Sequence, residues 1–164
     1  MPHLLILLNL VLSAFLTGLI WFVQVVHYPI FRRVGEREFI RFQEAHQYTT
    51  GLVVGFPMAA EFVLSLALIA HRLPGKGAWL GYGAGLCVLV VWGITFLVSV
   101  PIHAQFVSRG FDAELIGRLV GTNWLRTAAW TVRTGLLACL LWWSIKQRVD
   151  SPVGINHWKV EKQK

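Results

Sequence analysis

Residues 121–134 read GTNWLRTAAWTVRT and open a segment that is otherwise typical of a membrane helix. Arg126 and Arg133 lie seven residues apart, which is about two helical turns, so they share one face of that helix. On membrane-insertion scales a centred arginine costs about 2.5 to 3.5 kcal/mol, whereas one Leu, Ile, Phe or Val returns about 0.3 to 0.6 kcal/mol. The stretch therefore predicts a helix inside a bundle, with both arginines facing a partner or a polar cavity.

The composition of the whole chain is that of a membrane protein. Of its 164 residues 55% are hydrophobic and only 14% are charged, and the mean hydropathy is +0.58. The net charge of +7 comes from residues that lie mostly outside the apolar segments, so it indicates membrane topology and not nucleic-acid binding. Four segments can each cross a hydrocarbon core of about 30 Å as a helix, namely residues 4–26, 51–70, 78–100 and 124–145.

These segments predict an all-α fold, an integral membrane four-helix bundle. Residues 1–146 form its transmembrane domain, and residues 147–164 form a basic, loosely structured tail. The apolar spacing in residues 36–48 and 112–120 predicts a short amphipathic helix in each of the two outer loops. Residues 4–26 follow no basic residue and end at no cleavage pattern, so we expect them to remain as a mature helix.

The basic residues also predict the orientation. Those on the side of the termini crowd against helix ends, whereas those on the opposite side are dispersed among acidic residues in longer loops. The positive-inside rule then places both termini in the cytoplasm and the protein in the plasma (inner) membrane.

A spacing of four residues relates Gly77, Gly81 and Gly85 in the third segment. Small residues at this spacing let helix backbones approach closely. Two interpretations remain open, packing within the bundle or a homo-oligomer. Membrane lipids are the other expected partners.

One polar stripe runs along the fourth segment and faces the interior. Glu61, in the second segment, lies at about the same depth as Arg133, which predicts an ion pair. The pair could be purely structural or part of a ligand site. The stripe consists of Asn123, Arg126, Thr127, Trp130, Arg133 and Thr134.

Three histidines lie at the outer helix ends or in the first outer loop. We predict that His27, His46 and His103 surround one outer-facing cavity together with Gln24 and the stripe of the fourth segment. Glu61, Arg126 and Trp130 would form its floor. Three histidines could bind Zn, Fe or Cu. None of them has the spacing of a helical metal motif, so the alternative is hydrogen bonding at the interface without any metal or other cofactor.

Two stretches resemble the membrane family named for fungal anthrone oxygenases, most of whose members are of unknown function. They are VSVPIHAQF at residues 98–106 and TNWLRTAAW at residues 122–130. Asn123, Arg126 and Thr127 match the Asn-x-x-Arg-Thr motif with which the fourth helix of that family begins.

The first stretch matches the family less completely. Val100 and Pro101 agree with its turn after the third helix, but His103 stands where the family usually has Asn. The resemblance implies a four-helix membrane protein and, for some members, oxygenation of polycyclic aromatic polyketides without an evident cofactor. It implies no established set of catalytic residues.

Two function classes follow. The first is a membrane oxidoreductase or oxygenase with an outer-facing pocket for a small hydrophobic or aromatic substrate. Its proton acceptor would be Glu61 or a histidine such as His103, and Arg126 would hold an anionic intermediate. The alternative is a noncatalytic membrane protein that binds a lipid or stabilises a membrane complex.

Overall fold

Four long antiparallel helices make up the structure, a computed structural model that describes residues 2–149. We name them α1 to α4 in chain order, and each is long and apolar enough to cross a membrane. Large apolar side chains cover the outside of the bundle, as expected for a surface in contact with lipid. The predicted all-α membrane bundle is confirmed. The four helices are His3–Arg33, Glu36–Ala70, Lys76–Arg109 and Ala113–Val149.

Both ends of the bundle have short connections. We call the end with residues 34–35 and 110–112 the loop end, and the opposite end, where residues 2 and 149 lie, the terminal end. Because four helices cross the bundle, the two described ends of the chain lie on the same side. Which side faces the cytoplasm stays a prediction.

Two of the helices contain a widened, π-helical turn near the loop end. In α1 this turn is Val23–His27, and in α3 it is Thr95–Ser99. A proline follows each turn closely, Pro29 in α1 and Pro101 in α3. A proline ring clashes with the carbonyl four residues earlier and provides no N–H, so the backbone before it widens. The extra residue rotates the following side chains relative to a regular α-helix.

The predicted amphipathic loop helices differ from those in the structure. Residues 36–48 are helical, but from Phe39 onward they form the first turns of one continuous α-helix, Phe39–Ala70. Residues 112–120 likewise continue directly into α4. The carboxylate of Asp112 accepts hydrogen bonds from two backbone N–H groups and caps this helix. Gly121, which directly follows the predicted short helix and is a residue type that often ends helices, has no positive φ and lies inside α4.

The boundary of the predicted tail also shifts. Helix α4 continues to Val149, so the first residues of the segment 147–164 are helical. The rest of that segment lies outside the described residues.

Two apolar clusters divide the interior. The larger one fills the loop half of the bundle and includes Leu16, Phe31, Phe106 and Trp130. The smaller one fills the terminal half and includes Ile6, Leu68 and Leu137. The polar groups that the sequence places inside the membrane lie between or beside these clusters.

The glycines of the third segment pack within the chain. A Cβ atom added at Gly77 would lie 2.5 Å from the ring of Trp143, and one added at Gly85 would lie 2.8 Å from Ile69. Gly77, Gly81 and Gly85 are all buried. These contacts agree with packing inside the bundle. A homo-oligomer through the same stripe would have to displace Trp143 and Ile69, and it stays a prediction.

Candidate functional site

The terminal half contains the predicted ion pair. The Nε atom of Arg133 donates to Glu61 Oε1 at 2.9 Å, and both side chains are fully buried. Arg133 also donates from Nη1 to the carbonyl of Ala84 at 2.7 Å. Its Nη2 donates to Asn9 and Ser65 at 2.9 and 2.8 Å. We call these five residues the Arg133 network, in which charge and hydrogen-bonding capacity are both matched.

Trp130 links this network to the loop half. Its indole N–H donates to Glu61 Oε2 at 3.0 Å. On the other side, the guanidinium carbon of Arg126 lies 5.4 Å from the centre of the Trp130 ring, a distance typical of a cation–π contact. Both carboxylate oxygens of Glu61 therefore have partners, Oε1 in Arg133 and Oε2 in Trp130, and Glu61 forms no salt bridge with Arg126.

Arg126 differs from Arg133 in lacking an acidic partner. It is 7% exposed, and the one salt bridge between described residues is that of Arg133. Its Nη1 atom donates weakly to Ser99 at 3.3 Å and to Asn123 at 3.2 Å. Its Nε atom is buried without a hydrogen-bond partner in the described part of the chain. Among the described residues, the positive charge of Arg126 is therefore contacted by neutral groups alone.

Neutral amides fix the residues around Arg126. Asn123 donates to the side-chain oxygen of Gln24 at 2.8 Å, and Thr127 donates to the same oxygen at 3.4 Å. Gln24 in turn donates to the carbonyl of Val120 at 3.1 Å. Gln24 and Ser99 belong to the two π-helical turns, so both turns bring polar side chains to the Arg126 region.

The three predicted histidines converge at the loop end. His27 Nε2 and His46 Nδ1 lie 2.9 Å apart, and the ring centres of His46 and His103 lie 5.0 Å apart. The Nε2 atom of His103 is 3.3 Å from the Tyr28 hydroxyl, and its Nδ1 atom is 3.3 Å from the side-chain oxygen of Gln43. We call these five residues the histidine cluster.

A small cavity lies between the histidine cluster and Arg126. Its volume is about 40 Å³ and its polar walls are Tyr28, His46, Thr50 and Arg126. A groove of about 200 Å³ runs beside it between α1 and α2. His27 lies in this groove. The cavity and the groove share the lining residues Leu19, Val23, Thr50 and Val54.

The predicted site residues therefore separate into two groups. The histidines, Gln24, Asn123, Arg126, Thr127 and Trp130 lie around or next to the cavity. Glu61 and Arg133 do not line it, and Trp130 connects the two groups, because its N–H binds Glu61 and its ring contacts Arg126. The predicted floor is thus formed by Arg126 and Trp130, with Glu61 behind them.

The same geometry does not fit the predicted metal site. Among residues 2–149, no group of three or more His, Cys, Asp or Glu side chains is arranged to hold a metal ion. His27 and His46 direct ring nitrogens at each other, and His103 uses both of its nitrogens on Tyr28 and Gln43. A metal on His27, His46 and His103 would require breaking these hydrogen bonds.

Sequence reasoning missed several polar residues of the site. Tyr28, Gln43, Thr50 and Ser99 contact the histidines or Arg126. Tyr28 directly follows His27 and precedes Pro29, which could have indicated its position beside a widened turn. Gln43 lies one turn before His46 on the predicted amphipathic face, and this shared face was the available signal.

Comparison with known proteins adds no relative. No protein-family model, no curated protein and no solved structure matches this chain. The resemblance to the anthrone-oxygenase family therefore stays a prediction.

Proposed function

We propose that this protein binds a small hydrophobic acid inside the membrane, with the ionised head group on Arg126. The observation that carries the proposal is the buried guanidinium of Arg126, which has no acidic partner among residues 2–149. Removing an ion from water costs several kcal/mol unless charge and hydrogen bonds compensate. A carboxylate, phenolate or enolate would supply the missing negative charge and an acceptor for Nε.

The available space supports a ligand with a small head and an apolar chain. Liquid water occupies about 30 Å³ per molecule, so the cavity of about 40 Å³ is sized for a head group. The adjoining groove of about 200 Å³ is lined mainly by Leu19, Phe22, Val23, Val53 and Val54. An apolar chain placed there would be in contact with the lipid side of α1 and α2. A ligand can thus reach Arg126 from the membrane.

Both function classes predicted from the sequence share this binding step. An oxidoreductase or oxygenase for a hydrophobic or aromatic substrate would hold an anionic intermediate on Arg126. A noncatalytic protein would hold the lipid itself. The family resemblance is the argument for catalysis, whereas Arg126 and the cavity beside it are the argument for binding.

The test compares an acid with the alcohol of equal length. The wild-type protein in lipid nanodiscs is titrated with bromodecanoic acid and with bromodecanol, and quenching of tryptophan fluorescence reports binding near Trp130. We expect Arg126→Gln to weaken binding of the acid at least tenfold. A hydrogen bond to a charged group contributes about 1.5 to 3 kcal/mol, and about 1.4 kcal/mol is a factor of ten. Binding of the alcohol should not change.

Two control variants complete the test. Arg118→Gln removes an exposed arginine from the same helix and should leave both affinities unchanged. Trp130→Phe should remove the fluorescence quenching that a ligand bound in the cavity causes at Trp130. Equal affinity of the wild-type protein for the acid and the alcohol would show that Arg126 does not serve an anion.

We also propose that both termini are cytoplasmic, as the distribution of basic residues predicts. The test uses single cysteines in a chain whose Cys87 and Cys139 have been replaced by alanine. An impermeant thiol reagent applied to intact cells should label Ser108→Cys at the loop end and not Lys76→Cys at the terminal end. Both positions are exposed. The opposite labelling pattern would reverse the orientation.

A further inference from the structure

His46 lies between the cavity and His27. Its Nδ1 atom is 2.9 Å from His27 Nε2 and 3.0 Å from the hydroxyl of Thr50. Its other ring nitrogen, Nε2, makes no hydrogen bond within residues 2–149, and the side chain forms part of the cavity wall that also contains Arg126. One nitrogen of His46 is thus committed to His27 and Thr50, while the other is free for a ligand.

The surroundings of His46 contain no carboxylate partner. Helix α1 contributes His27 and Tyr28, α3 contributes His103, and α4 contributes Arg126 across the cavity. No Asp or Glu oxygen lies within 4.0 Å of a histidine nitrogen in the described part of the chain. A proton that arrives on the histidine pair is therefore balanced best by an anion on the ligand.

The hydrogen bond between the two histidines allows two proton arrangements. When His27 Nε2 carries the proton, His46 Nδ1 accepts it and His46 Nε2–H is a donor toward the cavity. When His46 Nδ1 carries the proton, His46 Nε2 is a base that faces the cavity. The first arrangement becomes the second when His27 Nε2 passes its proton to His46 Nδ1 across this 2.9 Å contact, His46 Nε2 releases its proton and His27 Nδ1 takes one up.

We propose, resting on the proposed function, that His46 is the base that ionises the bound acid and that His27 receives the displaced proton. The O–H bond of the ligand breaks, and its proton forms an N–H bond with His46 Nε2. The Nδ1–H bond of His46 breaks, and that proton forms an N–H bond on His27 Nε2. The products are a ligand anion beside Arg126 and a cationic His27, so charge and protons balance.

The position of His27 suits the end of such a path. His46 is 7% exposed, whereas His27 is partly exposed and lines the groove between α1 and α2. A positive charge on His27 is therefore less desolvated than the same charge on His46 would be. The positive charge moves away from Arg126, which reduces repulsion between the two cations.

The experiment uses a ligand whose colour reports its own ionisation. A phenol such as 4-hexyl-2-nitrophenol absorbs at longer wavelength as the phenolate than as the phenol. The dye is titrated into wild-type protein in nanodiscs at a pH at which the free dye is neutral, and its spectrum and affinity are measured together. We expect the wild-type protein to bind the dye as the phenolate.

Variants then separate binding from proton transfer. His46→Gln should retain dye binding through Arg126 but raise the pH at which the bound dye ionises by about 1 unit or more, the size typical of a lost charge partner. His27→Leu should give an intermediate shift, because His46 can still accept a proton but cannot pass one on. His71→Gln, an exposed histidine at the terminal end, should behave like the wild type.

The two proposals fail in different ways. If the wild-type protein does not bind the dye, the proposed function is wrong. If the dye binds and His46→Gln ionises it at the same pH as the wild type, the proton-transfer proposal alone is wrong.

A measurement on the wild-type protein does not depend on the variants folding. In ¹⁵N NMR of histidine-labelled protein, saturating dye should convert His27 to the doubly protonated form and leave His46 neutral. An unchanged His27 signal in the presence of bound phenolate would overturn the proposed path.

Discussion

Arg126 and Arg133 lie two turns apart on α4, and both are buried, with exposed fractions of 7% and 0%. Their hydrogen-bond and charge partners nevertheless differ. Arg133 has a carboxylate at 2.9 Å and three further hydrogen-bond partners. Arg126 has two long hydrogen bonds to neutral groups and an Nε atom without a partner in the described chain. Within residues 2–149 the charge of Arg133 has a partner of opposite sign, and that of Arg126 does not.

This contrast shows that the role of a buried charge depends on whether the protein supplies a partner of opposite sign. A fully matched charge connects helices, because α1, α2 and α3 each contribute a partner to Arg133. An unmatched charge next to a cavity weakens the fold unless something else compensates, and ligand binding is such a compensation. The two arginines therefore predict different results when they are removed.

The largest effect should follow from breaking the Glu61–Arg133 pair. Arg133→Leu leaves the Glu61 carboxylate buried and unpaired, so we expect a loss of about 3 to 5 kcal/mol in the free energy of unfolding. Glu61→Gln should also be strongly destabilising. The double variant should lose less than the sum of the two, measured by reversible unfolding in bicelles. Additive losses would contradict coupling between these side chains.

The sequence predicted this pair because membrane insertion leaves few alternatives for two charges at the same depth. It also predicted four spanning segments, since length and hydropathy decide that question directly. The hydrogen bond from Arg133 to the carbonyl of Ala84 could not be predicted, because a backbone oxygen leaves no signal in the residue type.

The loop half was harder to predict for a physical reason. A π-helical turn adds one residue to a turn and rotates the side chains that follow, so the helical periodicity of Tyr28 or Ser99 does not give their direction. Residues 36–48 lie outside the apolar segment because many of them are polar, which suggested a separate helix in the loop. Nothing in them breaks the helix before the apolar part of α2 begins. Hydropathy marks where lipid contact ends, and helices continue past that point.

The second comparison concerns packing at the two ends of the bundle. Gly77→Ala places a methyl group 2.5 Å from the Trp143 ring in the terminal half. Overpacking of this kind costs about 1 to 3 kcal/mol. Gly51→Ala, in α2 near the groove, meets no atom within 4 Å and should be neutral or stabilising by up to about 1 kcal/mol. Equal effects on thermal unfolding would contradict the close contact between Gly77 and Trp143.

A smaller loss is expected from His103→Asn, which introduces the residue usual in the resembling family. The variant loses the contact with the Tyr28 hydroxyl, and an Asn side chain is long enough to satisfy at most one of the two present partners. We expect a loss of about 0.5 to 1.5 kcal/mol in unfolding free energy.

Ligand binding by His103→Asn should change more than stability, because Tyr28 lines the cavity and its hydroxyl becomes free to move. The measurement is the affinity for bromodecanoic acid beside the melting temperature of the same sample. A variant that loses several kcal/mol of stability and binds the acid as the wild type does would indicate a structural histidine.

The smallest effect on stability should come from the residue that matters most for binding. Arg126→Leu removes a buried charge that has no acidic partner among residues 2–149 and replaces it with an apolar side chain beside Trp130. Replacing buried ionic groups by packed apolar residues is often neutral or stabilising. We therefore expect the free energy of unfolding to change by less than about 1 kcal/mol or to rise, whereas acid binding is lost. The matched comparison is Arg133→Leu on the same helix, measured in the same bicelles without ligand. If Arg126→Leu destabilises the protein as strongly as Arg133→Leu does, Arg126 has a structural partner and the difference between the two arginines disappears.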